Sequence, residues 1–193
     1  MNNKKLKVYV DFDSTIVNSV ERFVDIANKK YGTSRNVEEL GGYNFKNMYP
    51  EIEKEDILEI FAMEEFFDSK LKFMDGAFDV LNKYKEDITF CISTAATGKN
   101  LELKTKWINN NIPFIKEIYS SSNNDKSNIN MERSIQIDDV ADCLKHTNAE
   151  IKILYKNFNN FKWQRHNNDN IYNINTWSEI DDILDFYLRE GII

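Results

Sequence analysis

Residues 8–15 of this chain read Val-Tyr-Val-Asp-Phe-Asp-Ser-Thr, a β-branched and aromatic run that ends in two carboxylates, Asp11 and Asp13. The run is typical of a buried strand, which places both acids at its carboxyl end. Acids this close repel each other and lose hydration, so they seldom stabilise a fold. They make sense if a cation lies between them, or if one attacks a substrate while the other transfers protons. We therefore expect a functional site here rather than a solvated strand end.

Short apolar runs alternate with amphipathic stretches along the rest of the chain. The pattern predicts strands at Leu6–Val10, Ile88–Ile92, Glu117–Tyr119, Ser134–Ile137 and Ile151–Tyr155. It predicts helices at Val17–Tyr31, Leu101–Asn109, Val140–Thr147 and Trp177–Arg189. This alternation indicates an α/β fold, a Rossmann-like, doubly wound parallel sheet with helices on both faces.

Polar side chains follow three of these strands. Asp11, Ser93 and Asp138 each come just after a different predicted strand. Ligands of open parallel sheets bind outside the carboxyl ends of the strands. Three distant segments are therefore expected to bring polar groups to one edge of one sheet.

Residues 34–73 interrupt the alternation. The segment has a helical pattern at Glu51–Met63, is rich in aromatic residues and is too long for a simple connection. We predict a small helical cap at 34–73, inserted after the first strand and helix, with 1–33 and 74–193 forming the core domain. Rings at helical spacing usually pack in a core, so most aromatic residues of the cap are expected to do so.

The composition narrows the function classes. The formal net charge of -7 argues against binding a long nucleic-acid backbone, although a small phosphorylated ligand needs only a few local cations. The start of the chain lacks the apolar stretch of a signal peptide, and no apolar run approaches membrane-spanning length. We expect a cytoplasmic protein with no membrane partner. The sequence does not set the oligomeric state, and a homodimer is compatible with it.

Four motifs now stand in a recognisable order: Asp11-Phe12-Asp13-Ser14-Thr15, Ser93-Thr94, Lys126 and Asp138-Asp139. This order resembles that of the haloacid dehalogenase-like phosphohydrolases, whose first motif is DxDxT. Within that superfamily the chain looks like the 5'(3')-deoxyribonucleotidases over nearly its whole length. Further points of resemblance are Lys104-Thr105-Lys106-Trp107, Asp125-Lys126-Ser127, Gly76-Ala77 and Thr176-Trp177-Ser178.

The resemblance implies a Mg²⁺-dependent phosphatase of nucleoside monophosphates. Asp11 would be the nucleophile that forms an aspartyl-phosphate, and Asp13 the acid and base. Mg²⁺ would be held by Asp11, the backbone carbonyl of Asp13, and one of Asp138 or Asp139. The phosphate-binding residues would be Ser93, Thr94 and Lys126, with Lys104 and Lys116 as rivals for the charge of Lys126.

The chain also departs from the family pattern. Animal members usually have Gly-Val where this chain has Ser14-Thr15, and a bulky aromatic residue where it has Ser19. Their aromatic pair in the cap corresponds to Tyr43-Asn44, and Met74 stands where a proline is expected. Tyr43 and Phe61 fall where the family lines its base pocket, so both are substrate-binding candidates as well as core candidates.

Three other functions remain open from the sequence. The substrate could be a sugar phosphate or another small phosphomonoester, because the cap departs from the family pattern. The chain could be a binding module that has lost turnover, although the intact acids and Lys126 argue against this. It could also transfer the phosphoryl group to an acceptor other than water, since the covalent step is common to both reactions. A phosphatase of nucleic-acid ends is disfavoured by the acidic charge and the cap.

Overall fold

Six parallel strands form one sheet at the centre of the molecule, in a computed structural model that describes residues 5–40, 45–121, 123–157 and 170–191. The strands are β1 (Leu6–Val10), β2 (Ile88–Thr94), β3 (Glu117–Ser120), β4 (Ser134–Asp138), β5 (Ile151–Tyr155) and β6 (Tyr172–Ile174). Their order is β3-β2-β1-β4-β5-β6, which is the Rossmann order. The predicted α/β fold is confirmed.

Seven helices are described around this sheet. They are α1 (Ser19–Tyr31), α2 (Phe45–Met48), α3 (Lys54–Phe61), α4 (Ala77–Tyr84), α5 (Gly98–Asn111), α6 (Ala141–Lys145) and α7 (Trp177–Glu190). Gly32 ends α1 as its sequence position predicts, in the left-handed conformation that glycine adopts without strain. The main core cluster joins the sheet, the helices and residues 34–73.

Strand β1 lies at the middle of the sheet and is buried on both faces. Val8 and Val10 are fully buried on one face and Tyr9 is 3% exposed on the other, and β1 pairs with β2 on one side and β4 on the other. Strands β2 and β3 lie on one side of β1, and the chain then crosses to the other side to form β4, β5 and β6. The direction in which strands are added therefore reverses between β1 and β4. Such reversal points are where open α/β sheets bind their ligands.

The structure differs from the sequence prediction in several elements. The helix α4 and the short edge strand β6 were both missed. Strand β2 continues two residues beyond its predicted end, so Ser93 and Thr94 belong to the strand itself. Among the described residues between β3 and β4, namely 121 and 123–133, there is no helix, so a loop makes this crossover.

Residues 34–73, predicted to be a cap, contain α2 and α3 and two 3₁₀ turns, Val37–Glu39 and Glu64–Phe67. The Phe23 ring of α1 packs against Phe45 and Phe61, with ring centroids 4.3 and 5.3 Å apart. Buried Arg22, also on α1, donates hydrogen bonds to the carbonyls of Glu65 and Phe66. The described part of the segment thus rests on α1. Its boundaries as a separate cap stay a prediction.

Candidate active site

The register of the sheet brings the polar strand ends together. Val10 of β1 lies opposite Ile92 of β2 and Ile137 of β4. The next residue in each segment is polar, and together these residues form one row, Asp11, Ser93 and Asp138. The structure thus brings together side chains that the sequence placed at a common edge.

Lys126 ties the ends of three strands together. Its ammonium donates hydrogen bonds to Asp11 Oδ1 at 2.6 Å, Asp138 Oδ2 at 2.7 Å and the Ser93 carbonyl at 2.7 Å. Burial alone would lower the pKa of Lys126, but the charges of Asp11 and Asp138 outweigh it and raise this pKa above its ordinary value. Lys126 therefore stays charged, and it lies where the sequence analysis expected a cation.

Three buried carboxylates lie beside this lysine. One oxygen each from Asp11, Asp138 and Asp139 lies within 4.8 Å of the other two. Burial raises the pKa of Asp11 to about 7, against the opposing charge of Lys126. Burial, together with the charges of Asp11 and Asp138, raises the pKa of Asp139 well above its ordinary value. Asp11 and Asp139 therefore need more positive charge than Lys126 supplies to be ionised together.

These residues fit a divalent cation. Mg²⁺ prefers oxygen ligands and is usually bound by one or two carboxylates together with waters and substrate phosphate. The wider site holds four carboxylates and two ammonium groups, which leave two negative charges when all are ionised: Asp11, Asp13, Asp138 and Asp139 against Lys104 and Lys126. The carboxylate of Asp13 is outside the three-acid group, and a metal contact through its backbone carbonyl stays a prediction.

Asp13 has a different cationic partner, which the sequence analysis named only as a rival of Lys126. The Lys104 ammonium donates to Asp13 Oδ2 at 2.5 Å and to the Thr94 hydroxyl at 2.8 Å. The Lys104 side chain is 1% exposed, whereas that of Asp13 is 33% exposed. The sequence did carry a signal, because Lys104 falls on the same side of α5 as Leu101 and Ile108, where a solvated lysine is not expected.

Ser93 and Thr94, the two residues at the end of β2 that were predicted to bind phosphate, differ in their surroundings. The Ser93 hydroxyl is buried and has no hydrogen-bond partner among the described residues. Buried hydroxyl groups are rarely left unpaired without a functional reason. The Thr94 hydroxyl already accepts the hydrogen bond from Lys104, so in this structure it helps to hold that ammonium.

A cavity of about 920 Å³ opens above the strand ends, and its walls come from both the core and the segment 34–73. Asp11, Asp13 and Lys126 line its floor, and Phe45 and Phe61 line its side. Phe61, a predicted substrate-binding candidate, is therefore at the cavity, and Phe45 was missed. Tyr43, the other candidate, lies outside the described residues.

Asn100 of α5 was also missed. Its amide donates a 2.6 Å hydrogen bond to the carbonyl of Phe61 at the end of α3. Asn100 lines the cavity, and its buried Oδ1 has no partner among the described residues. This side chain connects the two walls of the cavity.

Three solved structures illustrate what this fold is similar to. A haloacid dehalogenase-like hydrolase from Streptococcus pneumoniae aligns with a TM-score of 0.64 at 16% identity, over 93% of this chain and 98% of that one. A protein titled a predicted phosphatase, from Clostridium acetobutylicum, aligns with a TM-score of 0.61 at 19% identity, over 94% and 99%. A protein titled a putative HAD-hydrolase, from Bacillus subtilis and bound to magnesium, aligns with a TM-score of 0.59 at 12% identity, over 95% and 100%.

The fold is that of the haloacid dehalogenase-like hydrolases, and the acidic strand ends lie where open α/β sheets bind their ligands. Identities this low show the fold alone, and no protein of curated function matches the sequence. A family model described as "5' nucleotidase, deoxy (Pyrimidine), cytosolic type C protein" matches residues 4–189. The chain belongs to this family of 5'-nucleotidases, and it is a phosphoric monoester hydrolase.

Within the described ranges, no helix combines the length and the apolar character that crossing a bilayer requires.

Proposed function

We propose that this protein is a Mg²⁺-dependent phosphatase of nucleoside monophosphates, including deoxyribonucleoside 5'- or 3'-monophosphates, in the cytoplasm. The observation that carries the proposal is the group of Asp11, Asp138 and Asp139 beside Lys126 at the floor of a large cavity. The family description supports a deoxynucleotide substrate. The magnesium bound to the Bacillus subtilis hydrolase supports the choice of metal.

In the proposed reaction Asp11 attacks the phosphorus atom. A new bond forms between an Asp11 carboxylate oxygen and phosphorus, and the bond from phosphorus to the sugar oxygen breaks. Asp13 gives its proton to the leaving sugar oxygen, which departs as an alcohol. Lys126 holds the attacking carboxylate in place through the 2.6 Å contact, and its charge favours the ionised form.

The second half of the reaction uses the same residues. Asp13 takes a proton from a water molecule, whose oxygen attacks the aspartyl-phosphate, and the bond from Asp11 to phosphorus breaks. Inorganic phosphate and the free Asp11 carboxylate result. Lys104 orients Asp13 in both steps through its 2.5 Å hydrogen bond, which makes it a positioning residue.

Charge neutralisation completes the proposal. Phosphoryl transfer depends mainly on positioning and on the stabilisation of charge at the phosphate oxygens. Ser93 donates to one such oxygen, which gives its unpaired hydroxyl a partner. Asp11, the Asp13 carbonyl and Asp138 or Asp139 would hold Mg²⁺, which would neutralise the remaining charge of the phosphate and the carboxylates.

The test is phosphate release from a panel of deoxyribo- and ribonucleoside monophosphates and sugar phosphates, with Mg²⁺ and with a chelator. We expect metal-dependent release from nucleotides, loss of turnover in Asp11→Asn, and normal turnover in Asp87→Asn. Asp87 is an exposed acid just before β2, at the opposite end of the sheet from the site. Acid-quenched wild-type enzyme should carry a phosphoryl group on the peptide that contains Asp11. Release from sugar phosphates alone would overturn the nucleotide assignment and keep the chemistry, whereas no release from any compound would overturn both.

A further inference from the structure

Two buried serine side chains form a polar part of the cavity wall that the proposed chemistry does not use. Ser14 and Ser19 are 4% and 2% exposed, and both line the cavity. Their hydroxyl oxygens are 3.2 Å apart and are hydrogen-bonded to each other. We call these two residues the serine pair.

The backbone holds the serine pair beside the acid. Ser14 directly follows Asp13 and has a positive φ of 57°, which turns the chain sharply after the strand. The Asn157 amide donates a hydrogen bond to the Ser14 carbonyl and fixes this turn. Ser19 is the first residue of α1, which begins immediately after the turn.

The hydrogen bonding of the serine pair is incomplete. Two hydroxyl groups carry two hydrogens, and their mutual contact uses one of them. The second hydrogen and several lone pairs face no other partner among the described residues. Each hydroxyl group has one hydrogen bond and can make more, so this pair on a cavity wall suits a ligand with a hydroxyl group of its own.

We propose that the serine pair binds the 2'-hydroxyl of the substrate sugar, so that ribonucleoside monophosphates are hydrolysed at least as well as their deoxy counterparts. The inference rests on the proposed function, in which Asp13 protonates the leaving sugar oxygen. Because Ser14 is the next residue, the sugar that carries this oxygen lies beside the serine pair. An apolar wall here would leave a buried 2'-hydroxyl unpaired, whereas two serines give it both a donor and an acceptor.

The test compares kcat/KM for ribo and deoxy substrates of the same base, as 5'- and as 3'-monophosphates. In the wild type we expect a ribo-to-deoxy ratio of one or more. Ser19→Ala and Ser14→Gly should each lower this ratio by roughly 3- to 10-fold, the usual effect of losing one neutral hydrogen bond. Glycine is chosen at position 14 because it tolerates the positive φ.

The matched control is Ser134→Ala. Ser134 is 1% exposed, and its hydroxyl donates to the Met131 carbonyl at the start of β4, away from the cavity. This variant loses an equally buried hydroxyl group and should keep the wild-type ratio. Equal losses for ribo and deoxy substrates in Ser19→Ala and Ser14→Gly would show a purely structural role and overturn the proposal, as would a wild-type ratio well below one.

A second pair of substrates separates this inference from the nucleotidase assignment. Ribose 5-phosphate and 2-deoxyribose 5-phosphate carry no base, so they report on the sugar hydroxyl alone. If nucleotides are not hydrolysed but ribose 5-phosphate is favoured and this preference falls in Ser19→Ala, the nucleotide assignment fails and the role of the serine pair stands. If no compound shows a preference that depends on the pair, the role of the pair fails.

Discussion

Replacing Lys126 with methionine removes one charge and keeps nearly the same side-chain length. The Lys126 ammonium contacts Asp11 at 2.6 Å and Asp138 at 2.7 Å, and the three side chains are 1%, 10% and 1% exposed. Without the ammonium, the carboxylates of Asp11 and Asp138 lie in a buried site without their cationic partner. We expect a large loss of stability in metal-free buffer, in addition to the loss of activity.

The magnitude follows from the burial. Removing one partner of a buried ion pair costs about 3–5 kcal/mol, because the remaining charge stays buried without compensation. For a protein of this size each kcal/mol lowers Tm by 2–4 °C, so the expected decrease in Tm is roughly 6–20 °C. The stability of a typical domain, about 5–15 kcal/mol, is enough for most of the variant to remain folded at 25 °C.

The assay is thermal and urea unfolding followed by circular dichroism in the presence of chelator. Lys145→Met is the matched control, because Lys145 contacts Asp142 at the same 2.6 Å but with side chains 41% and 73% exposed. An exposed pair contributes about 0–1 kcal/mol, so this control should change stability little. Equal contact distances therefore isolate the effect of burial.

A Lys126→Met variant no less stable than Lys145→Met would show that burial adds nothing to this ion pair. A second check adds Asp138→Asn to Lys126→Met. Since the double variant removes one of the uncompensated charges, it should recover more than about 1 kcal/mol relative to the sum of the single changes. Strict additivity would mean that the two groups do not interact.

Three further predictions concern other parts of the molecule. Lys104→Met should lower kcat by roughly 10- to 100-fold with little change in KM, because positioned proton transfer by Asp13 contributes about 10²–10⁴-fold. The measurement is steady-state kinetics, and the control is Lys106→Met, which changes an exposed lysine on the same helix; similar kinetics for both variants would contradict the prediction. Asp139→Asn should weaken Mg²⁺ binding in calorimetry by at least about tenfold, because even the partners of metal ligands contribute that much to affinity; unchanged affinity would exclude Asp139 from the metal site. Thr176→Ala should cost about 1 kcal/mol in urea unfolding with unchanged kcat, because the side chain caps the first turn of α7; a fall in kcat would contradict a purely structural role.

Most of the sheet could be predicted because its strands are short apolar runs with strong β propensity. Strand β6 could not, because it has three residues and only Ile174 is buried. Helix α4 was missed at Ala77–Tyr84, which has only eight residues. Its start depends on Gly76, where φ is +77° and an added Cβ would come within 3.2 Å of Trp177 Cβ. Such an approach between distant segments is a tertiary constraint that local patterns do not show.

The strand-end acids could be predicted because parallel strands bring their carboxyl ends to one edge. The pairing of each lysine with its acid could not be predicted. Whether Lys104 or Lys126 reaches Asp11 depends on the register of β1 and β2 and on the rotation of α5, and local sequence patterns determine neither. The polar contact between Ser14 and Ser19 likewise depends on the turn after Asp13, where the positive φ of Ser14 has no sequence signature such as glycine.

The contact between Lys126 and Asp11 joins residues 115 positions apart. A ribosome therefore releases the nucleophile long before the cation that neutralises it. Until the later segment has emerged and β4 has paired with β1, the growing chain holds the acids without the ammonium that allows them to be buried. Hydrolase activity is accordingly expected only near the end of synthesis, and nascent chains that stop before Lys126 should leave the phosphomonoesters of the cell untouched.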